Sequence, residues 1–346
     1  MLQFIDGNEV QRRMNELASA NKKFIFAIDY KKEKGLVLEL DEIDPAEIKY
    51  DLQGVANVAP KGDNGNTMPV IEACTPPTPE EYETMFNTVQ EGIARGRSSL
   101  VNLTARAAIT TNLDSLEEVF HRSSAPYRLW VKDHFVCFSP EIFVRVSNGK
   151  ISSYPMKGTI DATLPNAREI LMNDEKEAEE HHFVVDLIKN DLSRVATQVE
   201  VTRFRYIDEI VTNRGRLLET SSEITGTLPA DYCQHVGDII FSQLPGGSIT
   251  GAPKPETMKL IEEAENYDRG FYTGVMGTYA NGVLDSAVMI RFIDQENGQW
   301  YYKAGGGITH RSDCRREYEE LKQKIYVPVR CTAVVKPSFA PSINAS

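Results

Sequence analysis

The chain has 346 residues, 41% of them hydrophobic and 25% charged, which supplies a sizeable core and excludes the fibrous and disordered classes. With 38 Lys and Arg against 50 Asp and Glu, the net charge of -12 repels phosphate backbones and anionic membranes, so neither nucleic acid nor a membrane is an expected partner. The first residues lack an apolar signal region and the nearby apolar run Phe24–Ile28 is far too short to span a bilayer, which points to a cytoplasmic protein.

In chain order, a short strand-rich piece is expected over residues 1–75, part of the same fold as the body. The turn-forming run Lys61–Asn66 and then Pro76–Pro77 set it off. Thr78-Pro79-Glu80-Glu81 reads as an N-cap, a first-turn proline and an acidic first turn. Tyr82, Phe86, Val89 and Ile93 then recur at helical spacing, predicting a helix over 79–95. Strand character follows over 99–109, 127–138, 142–146 and 151–154, with Ser147-Asn148-Gly149-Lys150 as a hairpin turn. Helices are predicted over 174–195 and 255–265, strands over 274–279, 287–293 and 300–304, and a last helix over 313–325. Residues 333–346 read as a flexible tail. Strands grouped between helices, over a body of residues 76–332, give an α+β class with antiparallel sheets rather than a doubly wound fold.

Glu177 and Glu180 lie three apart on one predicted helix, and Glu317 and Glu320 repeat the spacing on another, so each pair projects from one face. Hard oxygen donors of this kind suit Mg²⁺, although either pair alone also reads as a solvated acidic face. Gly246–Lys254 resembles a phosphate loop but has Ala252 where that loop needs lysine, which argues against a nucleotide site. Gly305-Gly306-Gly307 follows a strand and is either a tight turn or a close approach of backbone to a ligand. Lys157, just past a strand, is either a surface residue or an amine aimed into a cleft. Neither a Gly-x-Ser-x-Gly nor a Gly-x-Cys-x-Gly elbow is present, which disfavours a built-in hydrolase or glutaminase. Five scattered cysteines, Cys74, Cys137, Cys233, Cys314 and Cys331, form no Cys-x-x-Cys pair and are expected as thiols.

Over residues 78–330 these pieces occur in the order found in the chorismate-utilising enzymes, the family that includes anthranilate, aminodeoxychorismate, isochorismate and salicylate synthases. The chain resembles that family in Ser139-Pro140-Glu141, Pro155-Met156-Lys157-Gly158-Thr159, Glu177–His181 running into Asp186–Asp191, and Gly251–Lys254. Arg269–Tyr272, Ile290-Arg291 and Ala304–Gly307 leading to Glu317–Glu320 complete the set. The resemblance implies an α+β fold of paired antiparallel sheets flanked by helices, and chorismate as substrate. It also implies Mg²⁺ held directly by Glu180 and Glu320, with Glu177 and Glu317 behind its waters.

By the same resemblance Arg291, Tyr272 and Gly307 grip the enolpyruvyl carboxylate. Ser248 stands at a hydroxyl position usually filled by threonine, Gly158 and Thr159 line the ring pocket, and Gly306 and Lys324 complete the substrate set. Aminodeoxychorismate synthases resemble this chain in carrying lysine at position 157, where anthranilate synthases carry alanine. The implied chemistry is attack of Lys157 on ring C2 with Glu141 as general acid for the C4 hydroxyl, then addition of ammonia supplied by a glutamine amidotransferase subunit. Anthranilate synthesis and a catalytically silent chorismate-binding role are the alternatives.

Three expectations concern charge. The Lys157 amine needs its pKa lowered from about 10.4 to roughly 7 for attack at neutral pH. Leu100 precedes Val101-Asn102-Leu103 where isochorismate synthases have a water-activating lysine, so water activation lacks its base. Glu219 stands where relatives have a histidine tied to pyruvate elimination. An ordinary glutamate near pKa 4.3 is ionised and donates poorly, so the reaction is expected to stop at the aminated intermediate.

Overall fold

The protein is described by a computed structural model over residues 2–59, 71–212 and 215–327. The expected run Lys61–Asn66, the tail 333–346 and Cys331 lie outside the described residues. Among those residues the strands form two antiparallel sheets, of ten and nine strands. In spatial order the first contains Ile5–Asp6, Lys34–Glu39, Phe24–Ile28, Val275–Ala280, Val283–Val288, Ile142–Ser147, Lys150–Ser153, Gly215–Thr227 and Met156–Asp161. Thr197–Thr212 also pairs with Gly215–Thr227 in a long hairpin. The second runs Gly251–Ala252, Leu100–Thr111, Gln299–Ile308, Phe292–Glu296, Phe135–Ser139, Tyr127–Val131, Ile48–Leu52 and Val55–Ala56, with Ile71–Thr75 beside Leu100–Thr111.

The sheets pack against each other, and the alternation of side chains along each strand divides the core. From Phe24–Ile28, Ile25 and Ala27 enter the layer shared with Tyr50, Leu129 and Phe292 of the second sheet. Phe24, Phe26 and Ile28 face the helices. All five are buried because both faces of that strand are covered, which is why it reads as an unbroken apolar run.

The helices are α1 (Gly7–Ser19), α2 (Pro79–Ala94), α3 (Leu116–Arg122), α4 (Ala167–Asn173), α5 (Glu175–Leu192), α6 (Val236–Gln243), α7 (Lys254–Ala264) and α8 (Cys314–Gln323). None is long and apolar enough to cross a membrane among the described residues. α2 starts where expected: the Thr78 hydroxyl accepts from the Glu81 N–H and the Glu81 carboxylate accepts from the Thr78 N–H. Asn148 and Gly149, both with positive φ, form the expected hairpin turn.

Three of the expected elements differ in the structure, and α3, α4, α6 and the hairpin of Thr197–Thr212 with Gly215–Thr227 are additional to those expected. The N-terminal piece, read as strands, carries α1, whose apolar stripe is short: Val10, Met14 and Ala18, with Leu17 beside it, amid polar residues. Its burial depends on packing against α6, where the Asn15 side-chain oxygen accepts the Gly237 N–H at 2.7 Å. The expected strand 127–138 is a hairpin that reverses through Asp133, at φ 59°. The expected strand 287–293 is two strands, one ending at Val288 in the first sheet and one starting at Phe292 in the second, with Arg291 at φ 55° in the crossover. The continuous apolar run Ala287–Ile290, buried through Met289, hides that break.

Where the crossover meets the second sheet, Arg269 and Glu265, each 2% exposed, form an ion pair at 2.6 Å. The guanidinium also donates to the carbonyls of Asn102 at 2.6 Å and Ile249 at 3.0 Å, while Glu265 accepts from the Thr104 N–H and hydroxyl. Glu265→Gln leaves that guanidinium buried with no full countercharge. We expect a loss of about 3–5 kcal/mol, read as a lower urea midpoint with an unchanged slope.

Candidate functional site

Lys157 reaches the site because of a break in register. The strand Met156–Asp161 pairs Lys157 with Thr220 and Thr159 with Glu219, leaving Gly158 as a bulge at φ 67°. A Cβ there would stand 3.1 Å from Leu171 and 3.2 Å from the Glu177 carboxylate, so glycine allows both the left-handed turn and the close approach of α5. The Lys157 carbonyl accepts a bond from the Thr220 hydroxyl, and its half-buried amine donates to Glu180 Oε2 at 3.0 Å.

α5 is capped by Asp174, whose carboxylate accepts the Glu177 N–H, and it presents Glu177 and Glu180 to the cleft. α8, capped by Asp313, presents Glu317 and Glu320 from the other side. Gly306 lies under α8: a Cβ there would be 3.6 Å from Glu317 and 3.9 Å from Glu320, and one on Gly307 would be 3.8 Å from the Lys157 amine. Lys324 donates to the Gly305 carbonyl and pairs with Glu320, both at 2.8 Å.

The charges of this cluster act on one another. Burial alone would lower the Lys157 pKa, but Glu180, Glu177 and Glu320 together outweigh it and hold the amine above the ordinary lysine value. The expected depression is therefore absent, because three carboxylates surround the ammonium. Burial pushes Glu177 up, with Glu180 adding to it, and burial likewise raises Glu317, with Glu320 adding. For Glu320 burial is overcome by Lys324, Lys157 and Lys176, which keep it below the usual range. Lys176, not singled out from the sequence, pairs with Glu180 at 3.6 Å one helical turn away.

Four carboxylates offering only oxygen fit a hard divalent cation, which would also relieve the repulsion raising Glu177 and Glu317. Among the described residues no group of three or more Asp, Glu, His or Cys is gathered closely enough to hold an ion as it stands. Glu180 and Glu320 are each met by lysine instead.

A second cluster adjoins the first. Glu141 accepts a hydrogen bond from the Ser248 hydroxyl at 3.2 Å. Burial raises its pKa against the opposing effects of Ser248, Arg291, Lys157 and Lys324, so these cations share its surroundings. Arg291 forms no ion pair at contact distance among the described residues, although its charge acts on Glu141 and Glu219, and its guanidinium lies 5.5 Å from the centre of the Tyr326 ring. Tyr272 is buried beside Phe292, and burial raises its phenol above the ordinary value despite Arg269 and Arg291. Thr159 is exposed, and the structure brings it to the site only through its backbone pairing with Glu219.

Glu219 departs from its expected behaviour. Burial, together with Glu141 and Asp208 and against Arg291, pushes its pKa up to about 7. It therefore holds a proton for much of the time at neutral pH and, unlike an ordinary glutamate, has one to donate there.

The loop bearing Ser248 is held by residues that the motifs contained without a role. Asp191, on the last turn of α5, pairs with Lys254 at 2.7 Å. The Lys254 amine also donates to the Gln243 carbonyl at 2.9 Å, and Arg269 holds Ile249 from the other side. A crevice of about 520 Å³ opens onto the Lys157 amine and is walled by Ile93, Leu100, Lys176, Glu180 and Phe183.

Residues 11–330 match the family described as chorismate binding enzyme. An uncharacterized PabA-like protein of Haemophilus influenzae is 44% identical over 317 residues, covering 91% of this chain and 95% of its own length. Aminodeoxychorismate synthase component 1 of Escherichia coli is 32% identical over 263 residues, covering 72% of this chain and 56% of its own. The crystal structure of anthranilate synthase component I from Streptococcus pneumoniae superposes with a TM-score of 0.64 at 26% identity, over 77% of this chain and 61% of that one. This chain thus spans less than two thirds of the length of the latter two.

The charge balance around Lys157 can be tested directly. In metal-free buffer, NMR titration of the Lys157 side chain should place its pKa above that of an ordinary lysine. Glu180→Gln should lower it, since burial then meets less opposing charge. An unchanged value in the variant would show that Glu180 does not hold the proton.

Proposed function

The chain belongs to the chorismate binding enzyme family, and from that premise we propose that it aminates chorismate at C4 to give 4-amino-4-deoxychorismate for p-aminobenzoate and folate synthesis. The observation that carries this reading is the Lys157 amine, 3.0 Å from Glu180 between the two acidic helices. It occupies the position where aminodeoxychorismate synthases have lysine and anthranilate synthases have alanine.

In this reading the Lys157 nitrogen bonds to ring C2, both conjugated ring double bonds shift, and the C4 hydroxyl leaves as water with a proton from Glu141. Ammonia then bonds to C4, the two double bonds shift back, Lys157 departs from C2, and the proton that ammonia sheds returns to Glu141. The Ser248 hydroxyl orients the Glu141 carboxyl, and burial helps that group keep a proton to donate. Arg291, which forms no contact ion pair among the described residues, is suited to the enolpyruvyl carboxylate, beside Tyr272 and Gly307.

Glu180 and Glu320, backed by Glu177 and Glu317, would hold Mg²⁺. When bound, the cation supplies positive charge that holds the ring carboxylate and offsets the field keeping Lys157 protonated. Ammonia comes from a glutamine amidotransferase partner in the cytoplasm, in keeping with the lack of a glutaminase elbow in this sequence.

Mass spectrometry of products from chorismate, Mg²⁺ and ammonium salt tests the reaction, with 4-amino-4-deoxychorismate expected. Anthranilate with stoichiometric pyruvate would overturn it. Glu141→Gln should lower kcat by about 10²–10⁴-fold, and Lys157→Ala should abolish the adduct that chorismate alone forms on the wild type. Unchanged kcat for aminodeoxychorismate in Lys157→Ala would refute the covalent route, and full turnover in EDTA would refute the metal.

A further inference from the structure

One buried residue joins the strand of Lys157 to the helix of Glu177 and Glu180. Ser222, fully buried on the strand Gly215–Thr227, donates its main-chain N–H to the Pro155 carbonyl at 3.1 Å, just before Lys157. Its hydroxyl lies 2.6 Å from Nε2 of His181, equally buried on α5 and next after Glu180. Among the described residues the other ring nitrogen has no hydrogen-bond partner, so Ser222 alone fixes the imidazole by hydrogen bonding. Phe204 packs against the ring edge-on, with centroids 5.7 Å apart.

The backbone opposite Ser222 leaves its hydroxyl proton for His181. Arg203 pairs with Glu223 and Tyr206 with Ser221, so Phe204 and Arg205 together face Ser222 in a bulge. Arg205 is held there at φ 48°, a left-handed conformation that a non-glycine residue keeps only where its surroundings enforce it. Its N–H donates to the Ser222 oxygen at 2.8 Å, and its guanidinium to the carbonyls of Leu171, Met172 and Asp174 at the junction of α4 and α5. The Ser222 oxygen thus accepts from Arg205, and its own proton is free for Nε2.

Successive side chains on a helix are about 100° apart, so the direction of His181 fixes the directions of its neighbours. Glu177, four residues earlier, shares its face and approaches the Gly158 bulge, where a Cβ would stand 3.2 Å from the Glu177 carboxylate. Glu180, one residue earlier, lies further round the axis and meets the Lys157 amine at 3.0 Å. Val184 and Val185 also bury α5, but apolar burial has no direction, whereas a hydrogen bond does.

We propose that His181 is a positioning residue: its hydrogen bond to Ser222 sets the roll of α5 against the strand of Lys157 and so aims Glu180 at the Lys157 amine. His181 and Ser222 act through Glu180. The inference rests on the proposed function only in taking Lys157 and Glu180 as groups that act on chorismate, and it gives a role to the histidine that closes the Glu177–His181 motif.

The test compares His181→Leu, His181→Gln, Ser222→Ala and the double variant His181→Leu/Ser222→Ala, each by kcat and KM for chorismate with ammonium salt and Mg²⁺, and by its urea midpoint. Loss of alignment should cut kcat about 10–100-fold in His181→Leu and in Ser222→Ala, with KM within about threefold of wild type. The double variant should lose no more than the worse single one, since either change removes the same bond. Glutamine, whose amide oxygen can accept from Ser222 near the place of Nε2, should restore kcat to within about threefold of wild type. Undiminished kcat in Ser222→Ala, additive losses in the double variant, or no recovery in His181→Gln at a wild-type urea midpoint would overturn the proposal. Should His181→Leu fail to fold, Ser222→Ala and His181→Gln decide it. If wild type gives anthranilate in place of the aminated compound, the amination reading fails, and the same rates measured on that product still decide the role of His181.

Discussion

Burying several carboxylates close together is unfavourable unless cations meet them, and the cleft is organised around that constraint. Glu177 and Glu180 from α5 converge with Glu317 and Glu320 from α8, and Lys157, Lys176 and Lys324 answer them within the protein. The balance is incomplete, since Glu177 and Glu317 remain above their ordinary pKa range while Lys157 is held above its own. An acidic protein that must accept a dianion needs further positive charge at this point. The oxygen-only donor set explains why a divalent cation belongs in the proposal, and the ion pairs on Glu180 and Glu320 explain why no ready-made cage is present.

The two clusters lie on separate elements, and their alignment depends on buried polar connections. Asp191 and Lys254 join the far end of α5 to the loop of Ser248. Arg269 joins the same loop to the second sheet through Asn102 and Ile249. The helix that carries Glu177 and Glu180 is thus tied at its other end to the segment bearing Ser248, which donates to Glu141. Each connection is satisfied by charge and hydrogen bonds together, the condition under which a buried ion pair does not destabilise its surroundings.

Proton supply follows from the same burial. Glu141 lies in the link between Phe135–Ser139 and Ile142–Ser147, Glu219 on the strand Gly215–Thr227, and Arg291 in the crossover between sheets at a positive φ. A half-buried glutamate next to another carboxyl behaves near neutral pH much as a histidine does, which gives the replacement at position 219 a physical reading. Lys157 distinguishes the proposed amination from anthranilate synthesis, because it brings a nucleophile to C2 that alanine cannot supply.

Much of this was legible in the residues themselves. The capping box at Thr78, the Asn148-Gly149 turn and the two Glu-x-x-Glu spacings are local chemistry, set within a few residues, and the ordered motifs identified the family and its paired sheets. Tertiary packing alone decided α1, whose apolar stripe needs α6 to cover it, and the break at Arg291, which follows a continuous apolar run. It alone decided the charge states of Lys157 and Glu219 as well. A pKa depends on burial and on charges brought near from distant parts of the chain: Glu320 lies far from Lys157 in sequence, and Glu141 far from Glu219. Spacing can show that a carboxylate or an amine is present, but only the folded arrangement determines whether it holds a proton.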